Sequence, residues 1–310
     1  MSGTVREPDG ILILDKPAGM TSHDCVAIMR RLFHTRKVGH TGTLDPMATG
    51  VLPILLGRAA KAAEYLVAED KHYIAGLRLG LTTNTEDITG ATLTESDTIP
   101  DEDAVQQTVK TFVGEIDQIP PMYSALKVDG QKLYDLARQG ITVERKARKI
   151  TVSSLTCTKQ DARTYTLDVR CSKGTYIRTL CADIGAKLGC GGVMCALRRA
   201  GSGNFTLDGA YTVEALEAMT DDERLACLLP TEALFSDLER LELPAFYERL
   251  ADNGQPIHLK KLYRGKYDET RYTPGQRMTV CGETKGFFAL GEVRAGDDGY
   301  IVKPIKKFVL

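Results

Sequence analysis

One acid placed before a proline in a glycine-rich loop is the strongest chemical signal in this chain: Gly39-His40-Thr41-Gly42-Thr43-Leu44-Asp45-Pro46, running on through Met47-Ala48-Thr49-Gly50. A residue before proline is pushed towards extended backbone, which would present the Asp45 carboxylate in a defined direction, and two of the three glycines could take angles closed to other residues. Such a loop can carry a nucleophile, cradle a phosphate or simply turn. The cradle fails because the Gly-x-x-x-x-Gly-Lys-Ser/Thr pattern is absent. On spacing alone the plain turn stays ahead. Other residues could join Asp45. Tyr73 opens a strand-like stretch and offers an aromatic face and a phenol. Arg178 carries a permanent cation between Tyr176-Ile177 and Thr179-Leu180, a setting that favours an inward side chain. Taken singly, Tyr73, Tyr176 and Leu197 read as packing, Arg178 as a surface arginine on a helix, and His40 as an exposed histidine.

The elements that must position these residues alternate in type. Gly10 to Leu14 reads as a strand, Pro17-Ala18-Gly19 as a turn, and Ser22 as the N-cap of a helix reaching about Phe33. Beyond the loop, Gly50 to Leu56 is a short buried strand, Ala59 to Leu66 an alanine-rich helix, and a second strand starts near Lys71. Asp129-Gly130 signals a hairpin after Ala125 to Val128, and Lys132 to Gln139 is a helix stopped by Gly140. Lys149 to Thr158 and Thr164 to Cys171 make an antiparallel pair, followed by a helix from about Tyr176 to Leu188. The polar stretch Asp87 to Asp103 is expected to be a mobile loop. Strands outnumber helices and are joined by hairpins and helices alike, so an α+β fold with a mixed, mainly antiparallel sheet is expected, not a doubly wound parallel one. Thr212 to Leu238 is helical and acidic, and short strand candidates follow Pro244. That shift predicts two domains, 1–240 and a small β-rich 241–310.

At 310 residues, 43% hydrophobic and 26% charged, the chain has globular composition with room for both domains. No apolar run approaches the roughly 20 residues that span a bilayer. Met1 to Pro8 also lacks the apolar core of a signal peptide, so a soluble cytoplasmic protein is expected. The eight cysteines form no Cys-x-x-Cys pair, and Cys190 with Cys195 lacks a second pair of ligands, so no metal is predicted. A formal net charge of -1 excludes a protein that coats nucleic acid by bulk electrostatics. Basic clusters at Arg30 to Lys37, Arg145 to Lys149, Arg198-Arg199, Lys260 to Lys266 and Lys303 to Lys307 count only if they converge in space.

Gly39 to Leu52 resembles the catalytic motif of the TruB family, the bacterial tRNA pseudouridine-55 synthases. Further stretches match in the family's order: Leu14 to Ser22, Lys71-His72-Tyr73, Gly80 to Gly90, Gln118 to Lys127, Ser172 to Leu180, and Leu197-Arg198-Arg199. The resemblance implies a pseudouridine synthase fold with Asp45 as nucleophile, Arg178 against it, and Tyr73 on the target uracil. It also implies that Tyr176 and Leu197 line the base pocket, and that His40 fills the space a flipped nucleotide vacates. No cofactor is implied. From Leu243 onward the chain is similar to a PUA-type RNA-binding domain, a small β-barrel expected to grip the acceptor arm of tRNA. The implied partner is tRNA, at its T stem-loop, with no membrane and no obligate protein partner.

That chemistry fits the residue types. Converting uridine to its C5-glycoside breaks N1–C1′, turns the uracil and forms C5–C1′, a task for a carboxylate that can add to sugar or base or remove a sugar proton. Burial alone would raise such a carboxylate by up to roughly 3–5 pKa units, so a permanent cation must offset it, and Arg178 is the candidate. Flipping a nucleotide costs roughly a few kcal/mol. Arg30 to Lys37 and Arg198-Arg199 are therefore expected to flank the pocket mouth and hold RNA by shape and backbone. Two rivals differ in kind. A guide-RNA-dependent relative would carry longer basic extensions and partner surfaces, and a tRNA-binding protein or folding chaperone has no need of Asp45, Tyr73 and Arg178 together.

Overall fold

Half-covered strands alternate in burial, as Lys71–Leu79 and Thr164–Cys171 do, whereas Thr49–Leu56 is buried at nearly every position. The contrast reflects where each strand lies. Leu12, Leu14, Leu52 and Ile54 point into the main core, while Ile11, Ile13, Val51 and Leu55 point the other way, into a second apolar cluster shared with Phe235, Leu290 and Phe308. The computed structural model describes residues 7–65, 70–124, 126–128 and 130–309. Met1 to Arg6, Leu66, Ala125 and Asp129, on which parts of the sequence reading fall, lie outside the described residues.

In chain order the elements are β1 (Gly10–Lys16), α1 (Ser22–Leu32), β2 (Val38–His40), β3 (Thr49–Leu56), a 3-10 helix (Gly57–Tyr65), β4 (Lys71–Leu79), β5 (Leu81–Thr83), β6 (Thr92–Glu95), α2 (Glu102–Lys110) and β7 (Gly114–Gln118). Then come β8 (Lys127–Val128), β9 (Gln131–Lys132), α3 (Leu133–Arg138), β10 (Arg148–Lys159), β11 (Thr164–Cys171), α4 (Ile177–Lys187), β12 (Gly192–Ser202), β13 (Phe205–Thr206), α5 (Val213–Ala218) and α6 (Asp221–Ala226). The last stretch holds β14 (Glu239–Leu243), α7 (Ala245–Asp252), β15 (Ile257–His258), α8 (Leu259–Tyr263), β16 (Arg277–Gly282), β17 (Gly286–Gly296) and β18 (Gly299–Lys307). The large sheet runs β1-β3-β12-β4-β11-β10-β7, with β2 on β3 and β13 on β12. Its β3–β12 pairing is parallel and the others are antiparallel. The expected α+β fold with a mixed, mainly antiparallel sheet is therefore what the chain adopts.

Three local expectations are corrected. Thr21, not Ser22, caps α1, in a capping box with Asp24, which frees the Ser22 hydroxyl for another task. The alanine-rich segment is a 3-10 helix. The stretch from Asp87 to Asp103 is not simply a loop: Asp87 is buried, Thr92–Glu95 pairs with β5, and α2 begins at Glu102.

The second sheet, β14-β16-β17-β18-β15, curls as a half-barrel whose edges β14 and β15 do not pair with each other. Helix α7 packs on β14, β15, β16 and β18, covering the apolar interior that full closure would otherwise have to hide.

Candidate active site

Residues 41–48 join β2 to β3 beside the parallel β3–β12 junction, and several contacts fix the backbone on both sides of Asp45. The Ser22 hydroxyl accepts from Leu44 N at 2.9 Å and donates to Leu44 O at 3.2 Å. Lys16, fully buried, donates to Pro46 O at 3.3 Å, Ala48 O at 2.6 Å and Pro17 O at 2.9 Å. Three carbonyls satisfy the three donors of the ammonium, which is how a charge without a carboxylate partner is tolerated there. Arg199, also buried, donates to Val51 O at 2.6 Å and Gly42 O at 3.1 Å. Gly50 has φ +104°, and a Cβ there would lie 2.2 Å from Arg199 O, so only glycine lets β3 and β12 approach this closely.

The sequence-predicted residues come together. Asp45, Tyr73, Tyr176, Arg178, Leu197 and His40 line one open cleft of about 1210 Å³. Tyr73 on β4 lies opposite Arg199 on β12, and Leu197 opposite Ala75, so the antiparallel register delivers Tyr73 and Leu197 to the same wall. Tyr176 is the N-cap of α4, and Gln118 clamps its backbone, accepting from Tyr176 N at 2.8 Å and donating to Tyr176 O at 3.1 Å.

Arg178 is the second residue of α4, with 7% of its side chain exposed, the inward position its apolar setting predicts. Its Nε lies 3.0 Å from Asp45 Oδ2 and its Nη2 3.5 Å from Asp45 Oδ1, a lopsided fork. The remaining donors go to Tyr123 O at 3.0 Å and Thr85 O at 3.3 Å, and Nη1 lies 3.7 Å from Asp87 Oδ2. Asp87 is held in turn by Thr85 Oγ1 at 2.9 Å, Thr89 N at 2.9 Å and Thr89 Oγ1 at 2.6 Å. One guanidinium thus serves two carboxylates. Desolvation raises the Asp45 carboxyl above its ordinary range; Arg178 pulls it back and Asp87 pushes it up again. The expected offset by Arg178 is present but incomplete. The Asp45 side chain is still 37% exposed to the cleft, so the protein's own atoms do not make the site dry.

Burial also raises the Tyr73 phenol, against a hydrogen bond with Arg199, and lowers His40, which stands edge-on to His23 at 5.9 Å. The His40 Nδ1, Thr41 Oγ1 and Ser124 Oγ atoms have no partner among the described residues.

The basic clusters do not sit as expected. None of Arg30, Arg31, Arg36 and Lys37 lines the cleft; Arg31 pairs with Glu217 at 2.5 Å and Lys37 with Glu7 at 3.2 Å. Arg198 pairs with Asp15 at 2.8 Å; Arg199 does line the cleft, but it is buried beneath the loop, where it bonds backbone carbonyls and Tyr73. The cations that line the cleft include Arg138, Arg148, Lys149 and Lys173. Sequence reasoning gave no site role to Asp87, Lys16, Ser22 or Gln118, although each lies inside a family-like stretch. Among the described residues no group of three or more His, Cys, Asp or Glu is arranged to hold a metal, and no helix is long and apolar enough to cross a membrane.

This architecture is shared with solved Cbf5 structures. A Cbf5-Nop10-Gar1 complex matches with TM-score 0.70 at 24% identity, covering 97% of this chain and 85% of that one. An H/ACA RNP bound to a substrate RNA containing 2′-deoxyuridine matches with TM-score 0.72 at 23% identity, covering 98% and 86%. The fold class is therefore that of Cbf5. Within it, the chain belongs to the TruB family of pseudouridylate synthases. The family's N-terminal domain matches residues 30–177, and the tRNA pseudouridylate synthase B C-terminal domain matches 178–236, ending before β14. The chain is 49% identical over 259 residues to tRNA pseudouridine synthase B of Ralstonia pickettii (strain 12J), covering 82% of this chain and 81% of the relative. It is 44% identical over 290 residues to the protein so named from Alkaliphilus oremlandii (strain OhILAs), covering 93% and 94%.

Proposed function

We propose that this protein is a cytoplasmic tRNA pseudouridine synthase that isomerises uridine 55 of the T loop, and that residues 241–310 form a PUA-like domain gripping the acceptor arm. The observation that carries the reading is the pairing of Asp45 with a buried Arg178 in a cleft walled by Tyr73, Tyr176 and Leu197. The target uridine flips into this cleft, displaces its water and covers Asp45, while His40 takes up space left in the RNA. Removing water strengthens the Arg178–Asp45 attraction, which opposes the added desolvation of the carboxylate. Asp45 then acts on the sugar or the base, N1–C1′ breaks, and the uracil turns before C5–C1′ forms. The proton lost from C5 passes to solvent and is matched by one gained at N1, so nothing is oxidised and the composition of the nucleotide is unchanged. Tyr73 stacks on the uracil; its phenol stays protonated, which suits a hydrogen-bonding role beside the departing C5 proton better than that of a free base. Arg138, Arg148, Lys149 and Lys173 meet the RNA backbone at the cleft.

The test uses purified protein alone with tRNA transcript labelled with tritium at uridine C5. Wild type releases tritium and Asp45→Asn does not. Equal release from both would sink the nucleophile assignment, and a requirement for added guide RNA would favour the ribonucleoprotein reading.

A further inference from the structure

Glu86 is one of three described residues other than glycine with positive φ, at +64°. A left-handed backbone at a side chain of this kind is strained and persists only where its surroundings enforce it. The enforcement is visible. Met194 N donates to Glu86 O at 3.0 Å, tying the turn to β12, and the Thr179 hydroxyl donates to Glu86 Oε2 at 2.5 Å, tying it to α4. Thr179 is buried and directly follows Arg178. The residues on either side of Glu86 are the two that Arg178 Nη1 faces: Thr85 through its carbonyl at 3.3 Å and Asp87 through its carboxylate at 3.7 Å. Glu86 itself does not line the cleft.

We infer that Glu86 is a positioning residue: its left-handed turn aims Thr85 O and the Asp87 carboxylate at one edge of the guanidinium, and its bond to Thr179 locks that turn to the helix carrying Arg178. An extended residue at 86 would draw Thr85 and Asp87 roughly 6–7 Å apart along the chain, whereas the left-handed turn gathers them towards one edge of the guanidinium. The opposite edge of the guanidinium is thereby left in register with Asp45. Nothing in this role needs the Glu86 charge; it needs an acceptor for Thr179 and a backbone held in the turn. The inference rests on the proposed role of Arg178.

The experiment compares single-turnover tritium release and tRNA affinity for wild type, Glu86→Gly, Thr179→Val, the double variant and Glu86→Gln. Glu86→Gly loses the tie without adding backbone strain, and Thr179→Val keeps the volume but removes the donor. Each should slow turnover by about tenfold, the scale of one lost hydrogen bond, with tRNA affinity unchanged. The double variant should be no slower than either single one, because both break the same tie. Glu86→Gln, which keeps an acceptor, should stay within about twofold of wild type. Unchanged turnover in the single variants, additive losses, a loss carried by tRNA affinity, or a Glu86→Gln variant as slow as Glu86→Gly would each overturn the inference. A wild type that releases no tritium would instead overturn the functional reading, and the inference with it.

Discussion

Two carboxylates in different parts of the chain meet opposite surroundings. Glu248, on α7, is 3% exposed; Thr284 N donates to its Oε2 at 2.9 Å, and the Thr284 hydroxyl bonds its Oε1. Those bonds hold the Glu248 carboxyl below its ordinary range. Asp45 shares the Arg178 guanidinium with Asp87 and stands above its ordinary range. A structural carboxylate is finished by its own fold, with a partner at each oxygen. The cleft carboxylate is left unfinished, with electron pairs still to be claimed, and that is the condition in which a carboxylate can act on a substrate.

The contrast can be tested from both sides. Asp45→Asn should cut tritium release by more than about a thousandfold while tRNA affinity stays within a few-fold. Because the folded protein disfavours the Asp45 charge, the same variant should melt no lower than wild type at neutral pH; a clear drop would mean that Asp45 is finished structurally after all. Arg178→Ala should slow turnover by about a hundredfold, more than it weakens tRNA binding. It leaves the burial of Asp45 unopposed, so the rise of activity with pH should move to higher pH; a pure binding defect would place Arg178 elsewhere. Phe308→Ala, in the seam against Phe235 and Phe287, should cost about 3–5 kcal/mol of stability yet leave the rate at saturating tRNA within a few-fold. Collapse of that rate below the melting temperature would show that cleft and seam are not independent.

Acid sharpens the comparison further. The raised Asp45 loses its charge as pH falls through a value above the ordinary 3.9 or so, whereas Glu248 and Asp252, both depressed, stabilise fully above their unfolded values and lose that stabilisation only as pH falls through their lower folded ones. Tritium release should therefore fail at a higher pH than the circular dichroism signal of the fold. The smallest effect is expected from Lys306→Ala, which breaks an ion pair with the largely exposed Glu64 and should change stability by less than about 1 kcal/mol.

Much of this was legible in the sequence. Asp45, Arg178 and Tyr73 stood out because each has a chemical reason for its type, and the order of family-like stretches located them. The strands of the large sheet were readable from their alternation. Side chains whose work is on backbone were not. Nothing in a lysine before a proline says that its ammonium will meet three carbonyls, or in a serine after an N-cap that it will grip the residue before Asp45, because such bonds are set by loops far apart in the chain. Asp87 looked like part of a polar loop because composition does not reveal burial. Arg199 looked like an RNA contact for the converse reason: charge suggests a surface, and this arginine is buried beneath the loop.

The apolar seam behind β1 and β3 has a consequence for measurement. One face of these two strands supports the loop that carries Asp45, and the other is welded to the second sheet through Ile11, Ile13, Val51, Leu55, Leu290 and Phe308. The cleft and the C-terminal surface are thus two jaws cut into a single bar. In the proposed reading, a tRNA touching both jaws is gauged for size, as by a caliper, without any of its letters being read.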